Sequence, residues 1–221
     1  MSYDTVVAGT IITATWGNGV RDKVTHPWAS ESARNSGITI PVNGQLSTIT
    51  GSTYGVKTTA YNSSAPGGAA WQTAVEHPMH IAMRTAGNVL TGATGVKTAY
   101  TSGSFTVKAS TPYRVRATIK LSSGAAANPE FLCNITRASD GIAIYTGPRK
   151  QQRATGEGVT YQPDFIFLTA AAETSISLLV VTNCVGGTAY DMSGAATMPF
   201  VFEVWECPFL ASAIVAAPAV P

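Results

Sequence analysis

The chain is predicted to be all-β: a C-terminal antiparallel β-sandwich of the jelly-roll type, preceded by a small, extended N-terminal attachment region with a β-hairpin. Three observations lead there. Residues 88–209 carry strand-like runs at fairly even spacing, rich in β-branched and aromatic residues and bounded by Gly, Pro, Asn or Ser. One of them, "YRVRATIKL" (113–121), has a clean period of two. The charged fraction is 12%, about half the roughly 25% of an average domain. Thr, Ser, Ala and Gly take up the difference, as in β-rich proteins that cover much of their surface with copies of themselves.

The first third of the chain has short apolar runs and frequent turn residues. Residues 5–15 are β-branched and extended. "ASESARNSG" (29–37) can hold a short helical turn. Residues 40–71 predict a β-hairpin or small meander, with turns at Asn43–Gly44 and at "APGG". "TGSTYGVKTTAY" (50–61) is echoed by "TGATGVKTAY" (91–100), a weak internal repeat. These features assign residues 1–87 to an attachment region, 88–209 to the sandwich and 210–221 to an apolar tail.

The sandwich strands are expected at "SFTVKA" (104–109), 113–121, "FLCNITRA" (131–138), "IAIYT" (142–146), "DFIFLT" (164–169), "TSISLLVVT" (174–182) and "PFVFEVWE" (199–206). In 113–121, Tyr113, Val115, Ala117, Ile119 and Leu121 share one face, and Arg114, Arg116, Thr118 and Lys120 the other, the pattern of a half-buried antiparallel strand. "ISLLVV" does not alternate, which predicts cover on both faces, the second supplied by a neighbouring subunit.

Several function classes are disfavoured by composition. The formal net charge is +2, so no broad field recruits nucleic acid or an anionic membrane. The start, "MSYDTVVAGTII", lacks the basic n-region of a signal peptide. The tail is broken by Pro218 and is shorter than the roughly 20 residues that span a bilayer. Cys133, Cys184 and Cys207 are widely spaced and sit in or beside apolar runs, the pattern of buried, reduced thiols in a chain folded in a cytoplasm.

Catalytic chemistry finds few footholds. Glu76, His77 and His80 lie close together in "EHPMH", but Pro78 disfavours the helix that would let two histidines share a metal. No metal and no cofactor is expected. No nucleophile elbow, HExxH or phosphate loop is present. Glu203 and Glu206 flank Trp205, but alternation sends them to opposite faces, which is not a glycosidase pair. The protein is therefore expected not to be an enzyme. "GPRKQQR" (147–153), with Arg149, Lys150 and Arg153, is expected to be a solvated loop or a contact for a neighbouring acidic patch. Tyr61 and Trp71 would stack on a sugar if exposed, while aromatics in a hairpin usually belong to a core. Trp28 and Trp205 are expected in the core, and His26, before Pro27 and Trp28, in a packed turn.

"VVAGTIITATWGNGVRDKV" (6–24) resembles a segment near the N-terminus of many tailed-phage virion proteins. The matching positions are Ala8, Gly9, Ile12, Ala14, Trp16, Asn18, Val20, Arg21 and Asp22. Residues 41–71 are similar to a module of phage tail and fibre proteins at Pro41, Gly44, Gln45, Tyr61 and Trp71, although "SSAPGG" lengthens its last turn. The resemblance covers roughly the first third of the chain. It implies a virion structural component, assembled as a homotrimer and made in the host bacterial cytoplasm. Its partners would be itself, neighbouring virion proteins and, for a tail protein, a host surface glycan.

Trp16, Asn18, Val20, Arg21, Asp22 and Trp28 are the candidate assembly residues. The apolar stretch before Trp16 is too short for a stable sheet alone, so it is expected to add to a surface supplied by another subunit. A minor tail, tail-tip or fibre protein is the leading reading. A capsid decoration or head-fibre protein is the alternative, and a carbohydrate-binding or depolymerase module the second alternative.

Overall fold

The computed structural model describes residues 27–64, 70–124 and 128–208. The chain divides into two compact units, Met1–Val75 and Glu76–Pro221. The boundary thus falls earlier than residue 88. His77–Arg84 forms a strand that pairs along Phe200–Glu206 and belongs to the sandwich. Pro78 and two histidines had obscured its period. A proline is tolerated there because an edge strand need not donate on both sides.

In the first unit, β1 (Pro27–Trp28) is followed by α1 (Glu31–Gly37), β2 (Leu46–Ile49), β3 (Lys57–Asn62) and β4 (Ala70–Thr73). The expected hairpin is a four-stranded sheet in the order β1-β2-β3-β4, with β1 parallel to β2 and the other pairs antiparallel. Ser30 caps α1, its Oγ accepting from the Ala33 N–H at 3.0 Å. Gly37 ends the helix against Trp28. A Cβ there would come within 2.1 Å of the indole, so the close approach requires glycine. The Asn43–Gly44 turn precedes β2 instead of joining two strands, and Gly44 N–H donates to Tyr61 O at 2.8 Å.

The second unit contains β5 (His77–Arg84), β6 (Asn88–Ala93), β7 (Lys97–Thr106), β8 (Pro112–Ser122), β9 (Glu130–Arg137), β10 (Ala143–Thr146), β11 (Lys150–Gln151), β12 (Val159–Tyr161), β13 (Asp164–Leu168), β14 (Ser175–Val185), β15 (Tyr190–Ser193) and β16 (Phe200–Glu206). All seven strands expected from the sequence are present, with β7 starting earlier and β14 running longer than their apolar runs suggested. Residues 112–116 of β8 pair with β13, and residues 113–118 pair with β16, so these two strands flank β8 on opposite edges. One sheet therefore contains the order β5-β16-β8-β13, and the other runs β7-β14-β9-β10. That is the strand order of a jelly roll. The internal echo does not mark two hairpins. β2 and β3 pair with each other, whereas β6 and β7 belong to different sheets.

Alternation builds the core. In β8, Tyr113, Val115, Ala117, Ile119 and Leu121 are buried and the basic residues between them face outward, as expected. They meet Phe131, Cys133 and Ile135 of β9, Leu178 and Val180 of β14, and Phe202 and Val204 of β16. Each such aliphatic or aromatic side chain stabilises the fold by about 1.5–3 kcal/mol on burial. Several polar groups buried in this core are matched. Tyr190 Oη donates to the carbonyls of Thr182 and Gly95, and Tyr161 Oη to that of Phe131 at 2.7 Å. The Gln152 amide clamps Ser123, donating from Nε2 to its carbonyl at 2.8 Å and accepting its N–H at 2.9 Å. All three cysteines are buried and free.

Candidate functional site

The expectation that "ISLLVV" does not alternate needs correction. β14 alternates strictly: Ile176, Leu178, Val180, Thr182 and Cys184 point into the core, while Leu179, Val181 and Asn183 are only half-buried. The apolar run hid a period of two because both sets are aliphatic. Within the described residues of one chain, the second face has no covering sheet.

The centre of that outer face is built from two cross-strand rows, with Leu132–Asn183 and Val185–Glu130 further along β9 and β14. Ala143, Thr136, Leu179 and Thr101 lie side by side on β10, β9, β14 and β7. Thr146, Asn134, Val181 and Thr98 form the second row. Neither row holds a charged side chain. Ile142 and Val96, both exposed, stand beside the two ends of these rows in sequence. Asn134 Oδ1 is buried and has no hydrogen-bond partner among the described residues. A centre of this kind can be removed from water without stranding a charge, and its threonine and asparagine groups can donate or accept across a contact.

The outer face of the other sheet differs. Glu203, Arg116 and Asp164 form one row across β16, β8 and β13, and Trp205, Arg114 and Ile166 the next. Arg114 grips Asp164 with two bonds, Nε–Oδ1 at 2.6 Å and Nη2–Oδ2 at 2.7 Å, and reaches Glu76 Oε1 at 3.1 Å. Arg116 Nη2 donates to Glu76 Oε2 at 3.2 Å. The Arg114 hydrogen bond holds the Asp164 carboxyl below its ordinary range. Trp205, expected in the core, lies on this outer face because Phe202 and Val204 take the inward positions. Its Nε1 donates to Glu203 Oε2 at 3.1 Å, and the Arg116 guanidinium stands 5.6 Å from its ring centroid. Glu206 faces the other way, buried against Lys108 at 2.9 Å. The two carboxylates that flank Trp205 are therefore on opposite faces.

The remaining sequence candidates separate. Trp16, Asn18, Val20, Arg21 and Asp22 lie outside the described residues, as do His26 and the tail 210–221. Trp28 packs on α1 through Gly37. Trp71 is buried, with Tyr61 edge-on at 5.5 Å and Arg34 over its ring, so it is core and not an open sugar platform. The basic run is partly strand. Lys150 in β11 turns its ammonium to the Thr160 carbonyl and the Tyr161 ring, Arg149 stands 3.5 Å from Glu130, and Arg153 is exposed. His77 is buried, while His80 stacks on Phe105 at 5.9 Å between ring centroids and bonds Tyr100 Oη at 2.6 Å. No group of three potential metal ligands occurs among the described residues, and no described helix is long and apolar enough to cross a membrane.

No protein-family model and no curated protein matches the chain. Among solved structures, it is similar to one of infectious bursal disease virus, Gx strain, at 15% identity over 72% of this chain and 45% of that one, with a TM-score of 0.37. It is similar to the VP2 subviral particle of the same virus at 16% identity over 71% and 45%, with a TM-score of 0.36. A Clostridium thermocellum xylanase 10B comprising CBM22-1 and GH10 modules matches at 10% identity over 65% and 31%, with a TM-score of 0.30. The chain spans less than half the length of the viral chains it matches. Identities and scores this low leave the all-β sandwich to rest on the chain's own strand order.

Proposed function

We propose that this chain is a non-enzymatic structural component of a tailed-phage virion, a homotrimeric minor tail or fibre protein made in the bacterial host. The observation that carries the assembly role is the uncharged centre of the outer face around Leu179 and Val181. Half-buried aliphatics flanked by neutral hydroxyl and amide groups suit a contact between subunits, where charged residues are depleted at the centre. The virion assignment rests on the motif around Trp16 and on the module from Pro41 to Trp71. Trp16 anchors the N-terminal region to a neighbouring virion protein, and the sandwich meets the host surface and its glycans.

Three measurements test this reading. Light scattering of the purified chain gives about three times the 22.9 kDa chain mass. A monomer at micromolar concentration contradicts the trimer. Immunogold labelling of particles decorates the tail. Label on the head instead assigns the chain to capsid decoration. Trp16→Ala leaves the sandwich folded and sharply lowers incorporation into particles, as expected for a large aromatic at a contact centre.

A further inference from the structure

The outer face of the sheet containing β5, β16, β8 and β13 carries two rows across adjacent strands. Ile81, Glu203, Arg116 and Asp164 form one, and Pro78, Trp205, Arg114 and Ile166 the next. Glu76, just before β5, bonds both arginines. Trp205 is half-buried, its Nε1 tied to Glu203, and Ile166 is 55% exposed. An aromatic ring and an open aliphatic thus stand at the two sides of a charged cluster.

That cluster is paired but not saturated. An ionised carboxylate offers roughly four acceptor sites and a guanidinium about five donors. The bonds of Arg114 and Arg116 to Asp164 and Glu76, and of Trp205 to Glu203, use fewer than half of either. The remaining valences alternate: the acceptors Glu203 and Asp164 flank the donor Arg116 along one row, on strands about 5 Å apart. They are also reachable, since the side chains of Asp164 and Arg116 are 47% and 37% exposed.

These features select a ligand. A hydroxyl donates to a carboxylate and accepts from a neighbouring guanidinium through one oxygen, and such charge-assisted bonds are roughly twice as strong as neutral ones. Adjacent hydroxyls on a sugar ring repeat that pairing. The C–H face of the ring covers apolar surface, here Trp205 and Ile166, at the ends of a row about 10 Å long. A formal charge on the ligand is disfavoured in either sign. Two guanidiniums stand among three carboxylates, so an anion meets the excess negative charge, and a cation competes for carboxylates that the arginines already hold.

We propose that this face binds a neutral, hydroxyl-rich oligosaccharide, its rings lying across Trp205, Arg114 and Ile166 and its hydroxyls on Glu203, Arg116 and Asp164. Such a site rests on the host-glycan contact proposed above for the source of its ligand, and takes the role that the buried Trp71 does not fill.

The test follows the indole N–H signals of the full chain in ¹H–¹⁵N spectra, with that of Trp205 assigned from Trp205→Phe. Hexamers of glucose, mannose, galactose and N-acetylglucosamine are titrated to millimolar concentration, with a galacturonate hexamer as the anionic probe. At least one neutral hexamer is expected to shift Trp205 saturably while the Trp71 signal stays in place, and galacturonate is not. Trp205→Ala and Ile166→Glu each weaken that binding about tenfold or more, as expected for contacts at the centre of a site. Ile166 is exposed, so its variant keeps the test valid if Trp205→Ala does not fold by circular dichroism. Ile142→Glu, exposed and outside this face, leaves binding unchanged. No Trp205 shift with any neutral hexamer overturns the proposal, as does a shift with galacturonate alone, or binding that both variants leave intact. Immunogold label on the head with Trp205 still shifting refutes the tail placement and not this site, and label on the tail with no shift does the reverse.

Discussion

Arg34 stacks on Trp71. Its guanidinium carbon lies 4.5 Å from the ring centroid, and the side chain is 1% exposed. Nη1 donates to Thr59 Oγ1 at 3.0 Å, Nε and Nη2 donate to Asn35 Oδ1 at 3.0 and 2.8 Å, and Thr59 meets Ser47 at 3.1 Å. The short helix α1 thus delivers one planar cation to the middle of the small sheet, where an aromatic face and a row of hydroxyls receive it. Trp71 serves as the platform for Arg34, which explains why it is core and not a sugar site.

Arg34→Lys is expected to destabilise the first unit by about 2 kcal/mol, since an ammonium cannot stack flat and bond in a fork at once. Hydrogen exchange in β2, β3 and β4 should accelerate accordingly, while the amides of β8 and β14 keep their protection. Unchanged exchange in β2 and β3 would show that the stack contributes nothing to stability.

The double variant Leu179→Lys/Val181→Lys puts two ammonium groups in the uncharged centre of that outer face. Both positions are half-buried and outward, so the fold tolerates the change. Across a subunit contact, unpaired charges cost several kcal/mol. Light scattering should fall from the trimer mass to that of the single chain, with the near-ultraviolet spectrum retained. An unchanged mass would place the subunit contact on another surface.

Stability should also fall in mild acid through His80. Burial lowers its affinity for a proton, and its ring is held between Phe105, Phe202 and the Tyr100 hydroxyl. The unfolded chain protonates this imidazole near its ordinary value of about 6.5, the folded chain only at lower pH. The unfolded state therefore binds more protons in that window. The contribution of neutral His80 is present above about pH 6.5 and is lost as pH falls through the window. His80→Phe should flatten the melting temperature between pH 7.5 and 5.5. Asp164 titrates lower still, because Arg114 holds it down, and does not interfere. A pH slope equal to that of the unsubstituted protein would exclude His80 as its source.

The fold was readable where one face of a strand is apolar and the other polar. β8 and β16 show this directly, and the latter correctly separates Glu203 from Glu206. The reading failed where both faces are aliphatic, as in β14, because period two is invisible when inward Val180 and outward Val181 are the same residue type. It failed again at β5, where Pro78 and two histidines interrupt a strand defined by its partner β16 and not by its own composition. The clamp on Ser123 was not legible at all. Gln152 stands in a polar run that predicts a solvated loop, and only the pairing of β11 with β9 turns it inward. The cation over Trp71 was hidden for a similar reason, because a seven-residue helix with one arginine carries no signal of burial.

Gln152 supports the last prediction. Its amide is 1% exposed and reproduces a strand neighbour, with one donor and one acceptor against the Ser123 carbonyl and N–H at the end of β8. Gln152→Ala removes both partners and leaves a cavity, which should cost about 2–4 kcal/mol. Gln152→Glu separates the two bonds. A protonated carboxyl still accepts the Ser123 N–H and still donates to the carbonyl, but an ionised one turns a buried charge towards that carbonyl oxygen. Burial and the facing carbonyl both raise the folded-state affinity of this carboxyl for its proton. The variant should therefore resemble the unsubstituted protein below the ordinary glutamate range and lose stability as pH rises through it, opposite in sign to the His80 effect. Denaturant unfolding of Gln152→Glu at pH 4.5 and 7.5, each compared with the unsubstituted protein at the same pH, reads the difference. A deficit equal at both values would mean that the carboxyl escapes to solvent and that the clamp is not what holds the end of β8.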